Sequence, residues 1–121
     1  MKIKTQDLTG EALDWAVAKC ENPEWPDEEV IINVTMFDDH DGTIYNYSTN
    51  WQLAGPIIER EGIYINCLRQ PDYYRSAVWE AWPYASTKFI QQGPTPLVAA
   101  MRCYVASKLG EEIDINMGEL L

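Results

Sequence analysis

Apolar residues are spaced along this chain in two rhythms. The clearest stretch with helical spacing runs over residues 93–110, where Leu97, Ala100, Met101, Tyr104, Val105 and Leu109 fall on one arc at 100° per residue. Arg102 points the other way, among Ala99, Cys103 and Ala106. Both ends of the helix are written locally. Thr95 can accept from the free N–H groups of the first turn, Pro96 stands where a missing N–H is harmless, and Gly110 can take the left-handed turn that ends the helix. With so few polar positions, little of it can face water. An earlier helix is predicted from about Thr9 to Cys20, where Leu13, Ala16, Val17 and Cys20 form a stripe and Leu8 folds back on Leu13. Trp15 lies off that stripe and is expected to cover a loop or a core edge.

Elsewhere the pattern favours strands. Residues 21–29, with Pro23, Pro26 and five acids, read as a polar connector. The β-branched run at 30–37 reads as a strand, Asp41-Gly42 as a hairpin turn, and 43–47 as the returning strand. Asn50-Trp51 opens a helical segment that Gly55-Pro56 should kink or split, ending near Gly62. Strands follow at 63–68 and 77–82, with Trp79 and Ala81 on one face and Val78, Glu80 and Trp82 on the other, and Pro83 marks an edge or an ending. A short strand over 88–91 leads into the final helix, and the acidic tail 111–121 holds at most a strand at 113–115.

Composition narrows the function classes. With 121 residues, 46% hydrophobic and 23% charged, the chain reads as one soluble domain, the acidic hairpin at about 30–47 being a candidate insertion. Nine Lys and Arg against nineteen Asp and Glu leave a net charge of −10, which opposes direct binding to nucleic acid or to an anionic membrane. Three scattered cysteines, with no leader-like apolar run at the start, point to free thiols and a cytoplasmic setting. The two N-x-S/T sequons at Asn33 and Asn46 then read as chance matches.

Chemistry is sparse. Asp39-x-Asp41-Gly42 matches part of a calcium loop, but Phe37 and Ser48 fall where carboxylate ligands belong, so no metal is expected. His40 is the single histidine, no nucleophile motif or phosphate loop is present, and no cofactor or catalytic residue is assigned. Glu59 and Glu61 flank Arg60 as a charged helix end. Arg102 must reach water, a carboxylate or a ligand, with a structural role favoured. Tyr64, Tyr73, Tyr74, Trp79, Trp82 and Tyr84 give the middle of the chain unusual aromatic weight.

Taken in order, Leu8 to Trp15, Asn50-Trp51, Ala54-Gly55-Pro56-Ile57-Ile58, Trp79-Glu80-Ala81 and Thr95 to Met101 resemble the NinX-like proteins of tailed phages and prophages. The resemblance implies an α+β sandwich of helices on a short antiparallel sheet, with residues 95–109 as the central helix, and a bacterial cytoplasm holding a phage. It supplies no reaction, cofactor or catalytic residue.

The leading expectation is a non-catalytic accessory protein that binds a host or phage protein with a basic surface, nucleic-acid mimicry being one version. Trp51, Trp79, Trp82, Tyr73 and Tyr74 are the candidate partner surface. The alternative is a small enzyme or anion-binding domain using Arg102 or Arg60 beside a pocket, and the third reading is a homo-oligomer that buries its own aromatics.

Overall fold

A computed structural model describes residues 1–36, 43–84 and 86–115. The expected Asp41-Gly42 turn, the calcium-like loop and His40 lie outside these residues, as does the end of the acidic tail. In chain order the elements are β1 (Lys2–Lys4), a turn of 3-10 helix (Thr5–Asp7), α1 (Gly10–Glu21), α2 (Asp27–Thr35), α3 (Trp51–Glu61), β2 (Ile63–Arg69), β3 (Val78–Pro83), β4 (Gln91–Gly93), α4 (Pro96–Leu109) and β5 (Glu112–Asp114).

This is the expected α+β arrangement, with α4 at its centre. The three-stranded antiparallel sheet β2-β3-β4 lies on one side of α4, α1 packs on another, and α2 packs on α1. Ten successive residues of α4, Leu97 to Ala106, are buried. Thr95 Oγ1 accepts from the Val98 N–H at 3.1 Å, so the predicted cap is in place. Leu109 departs from expectation. It is 45% exposed, in a last turn of α4 where Lys108 is exposed as well. Gly110 takes a positive φ of 93° with an extended ψ, instead of the left-handed turn, while its N–H still bonds to the Ala106 carbonyl.

The main correction concerns residues 30–37 and 43–47. Residues 30–35 of the segment read as a strand belong to α2, whose first turn takes residues 27–29 from the expected polar connector, and residues 43–46 form no strand. Pro26 precedes the first turn, and Asp27, Glu28 and Glu29 place negative charge at the positive end of the helix dipole. Val30, Asn33 and Val34 are buried at spacings of three and four, whereas Ile32 is exposed. Burial against α1 therefore outweighs the β preference of the branched side chains. Tyr45 returns along this helix by donating its N–H to the Asn33 carbonyl at 3.0 Å.

Gly55-Pro56 does not split α3, which runs unbroken past Pro56 from its Asn50 cap to Gly62. Gly62 ends it with φ 63°, ψ 45°, a conformation that only a residue without Cβ adopts at little cost. β3 is the middle strand, so Pro83 marks an ending and not an edge. The strand expected over 88–91 lies at Gln91–Gly93, where Gly93 leaves so little room beneath α4 that an added Cβ would lie 2.7 Å from the Ala99 nitrogen. The strand expected at 113–115 is β5, and it pairs with β1, which local pattern does not announce. Trp15, off the apolar stripe, is nevertheless 4% exposed and belongs to the core.

Candidate functional site on the open sheet face

Alternation along β2 and β3 divides the sheet into two faces. Ile63, Ile65, Trp79 and Ala81 turn toward the core. Tyr64, Asn66, Glu80 and Trp82 take the other face, with Tyr64 opposite Trp82 and Glu80 between Asn66 and Gln92 in the register. Leu68 is the extra residue where the register shifts between Cys67 and Arg69, and it is exposed.

Three rings form a row on this open face. Tyr64 stacks on Trp82 with centroids 5.6 Å apart and on Tyr84 at 6.3 Å. Tyr64 is 48% and Tyr84 75% exposed, and Trp82 is half-buried. Tyr84 gains its place from Gly62, where a Cβ would meet the Tyr84 Cβ at 3.1 Å. Beyond the β2 end, Asp72 Oδ1 accepts the Tyr74 and Arg75 N–H groups while its other oxygen takes Arg75. Arg75 foremost, with those N–H bonds, holds the Asp72 carboxyl below its ordinary value. This turn presents Tyr73 and Tyr74 almost wholly to solvent, edge to face at 4.9 Å.

The sequence-derived candidates thus separate. Trp82 lies on the open face and Tyr73 and Tyr74 in the loop between β2 and β3. Trp79, offered for the same surface, turns the other way and packs against the core, because it sits one residue out of phase with Trp82. Trp51 is exposed elsewhere, at the start of α3, lining a largely apolar cleft of about 270 Å³ with Ser48, Thr49, Thr95, Pro96 and Leu97. Tyr64 and Tyr84 join the row only through the register of β2 against β3, which sequence spacing does not reveal.

The two arginines offered for an anion are both engaged. Arg102 is 9% exposed and donates Nε to the Leu8 carbonyl and Nη1 to the Gln92 carbonyl, each at 2.7 Å. Burial pulls its guanidinium below the usual arginine value, and Asp7 partly offsets this. Arg60 bridges Glu21 and Glu61 at 2.7 and 2.9 Å, and Lys108 also reaches Glu61. Tyr104 donates its hydroxyl to the same Glu21 carboxylate. Burial works to raise Glu21, but the bonds from Arg60 and Tyr104 together bring it below its ordinary value. This knot joins α1, α3 and α4 across wide sequence separations and reads as a structural clasp.

Among the described residues no cluster of His, Cys, Asp and Glu could hold a metal, and no helix is long and apolar enough to cross a membrane.

The fold and this face define a small α+β domain with an aromatic sheet surface that the other described elements leave uncovered. A family model described as "Bacteriophage P22, NinX" matches residues 4–108, and the chain belongs to that family. A comparison with curated proteins finds no match.

Proposed function

We propose that this chain is a phage accessory protein that acts in the bacterial cytoplasm by binding another protein, a host or phage product with a basic surface, through the open face of its three-stranded sheet. The row of Tyr84, Tyr64 and Trp82 carries the reading, since exposed contiguous rings on a sheet are costly to leave wet and typical of contact cores. The charge of −10 directs the choice of partner toward basic proteins, nucleic-acid-binding ones included, and away from nucleic acid itself. The anion-pocket reading loses its motive, because Arg102 and Arg60 are already held by carbonyls and carboxylates.

The test uses the tagged chain as bait in lysate of phage-infected bacteria, beside a Tyr64→Ala/Trp82→Ala double variant of matched folding by circular dichroism. The expected result is a protein held by the native chain at low salt, released as salt rises, and not held by the double variant. Equal retention by both chains would place binding elsewhere and overturn the assignment to this face.

A further inference from the structure

We infer that this face takes an arginine-bearing segment of the partner, with a guanidinium laid against the Trp82 ring and ion-paired to Glu80. The inference rests on the protein-binding reading and specifies the chemistry of the occupant.

Glu80 stands two residues from Trp82 on the same strand and on the same face. That spacing is about 7 Å, a distance a planar guanidinium can bridge while one of its faces covers a ring. The cross-strand neighbours of Glu80 are the neutral Asn66 and Gln92. Among the described residues the Glu80 carboxylate has no ion pair and no side-chain hydrogen bond, although it is half-buried. The nearest basic residue along β2, Arg69, instead donates Nε and Nη2 to the Ser76 carbonyl. An unpaired carboxylate beside stacked rings is complementary to a cation that is planar and weakly hydrated, which describes arginine better than lysine. The same carboxylate and the overall charge repel phosphate-bearing ligands, and two copies of a chain at −10 repel each other.

The test titrates the intact chain by calorimetry with a short peptide alternating arginine and serine, and with the same peptide carrying lysine. Glu80→Gln removes the charge and keeps the shape. Glu28→Gln, on the exposed side of α2 and away from the sheet, controls for diffuse attraction. We expect the arginine peptide to bind on the order of five-fold more tightly than the lysine peptide, Glu80→Gln to erase that preference, and Glu28→Gln to leave it intact. Equal affinity for the two peptides, or equal weakening by both variants, overturns the inference. Absence of peptide binding while lysate capture still depends on Tyr64 and Trp82 also overturns it, leaving the surface assignment standing with a different occupant. Self-association seen by light scattering and lost in the Tyr64→Ala/Trp82→Ala variant would identify that occupant as a second copy.

Discussion

Replacing Arg102 with methionine keeps a stem of similar length on α4 and deletes the guanidinium that ties this helix to Leu8 and Gln92. The Leu8 carbonyl, at the entry to α1, then loses its buried donor at 2.7 Å. The Gln92 carbonyl on β4 loses one donor but keeps the Gln6 side-chain amide at 2.9 Å. An orphaned buried carbonyl costs about 1–3 kcal/mol, and a lost charge-assisted bond whose acceptor stays satisfied adds about 1 kcal/mol. Relief of the burial of the guanidinium works in the other direction, so a net destabilisation of about 2–3 kcal/mol is expected. Arg102→Lys, able to reach one carbonyl with a point charge, should lose about half as much. Urea unfolding followed by tryptophan fluorescence reads this as a lower midpoint at unchanged slope. Burial pulls the Arg102 guanidinium below its ordinary value, but an arginine in a protein keeps its proton across the accessible pH range. The loss should therefore be the same at neutral and mildly alkaline pH. A methionine variant within about 0.5 kcal/mol of the native chain would show that water satisfies the Leu8 carbonyl and would refute the reasoning.

Gly93→Ala forces a Cβ to 2.7 Å from the Ala99 nitrogen and 2.9 Å from Val98 Cγ1, so β4 must move from α4. Its expected cost is about 2–3 kcal/mol by the same unfolding assay. Thr95→Ala removes the Val98 cap and should cost about 1 kcal/mol, with Thr95→Ser restoring most of it. Glu21 and Glu61 are both held below their ordinary value of 4.5, so their contribution is complete above that pH and is lost as pH falls through the depressed values. Glu21→Gln should flatten the acid limb of stability against pH. Asp14, raised by burial although it accepts the Ser48 N–H at 2.7 Å, has the opposite sign and weakens the fold once ionised, so Asp14→Asn should flatten the curve above 3.8. Burial pushes the Cys20 and Cys103 thiols up to about 12, so a thiol reagent at pH 8 should label Cys67 ahead of Cys20, although both are half-buried, and spare buried Cys103 until the chain unfolds. The single-domain reading predicts that this unfolding is one cooperative transition by fluorescence and circular dichroism alike.

What the sequence determined by itself is local. The ends of α4 are set by Thr95, Pro96 and Gly110, and its burial by a nearly unbroken apolar run, so its place at the centre was legible before any contact was known. The strand periodicity of β2 and β3 was likewise legible, because side chains alternate faces whatever the partner. Tertiary structure decided what local preference leaves balanced or does not encode. Residues 30–35 are rich in β-branched side chains, and packing on α1 made them helical. Pro56 was absorbed within α3. The pairing of β1 with β5 joins segments more than a hundred residues apart, a contact with no local signature. The candidate site belongs mostly to this second class. That Trp82 and Trp79 take opposite faces followed from alternation, but which face lies open, and the row of Trp82 with Tyr64 and Tyr84, required the β2–β3 register and the packing of α4 on the other face. Arg102 was visible as a cation needing a partner; its partners are backbone carbonyls, and every residue carries one, so only the folded chain could select Leu8 and Gln92.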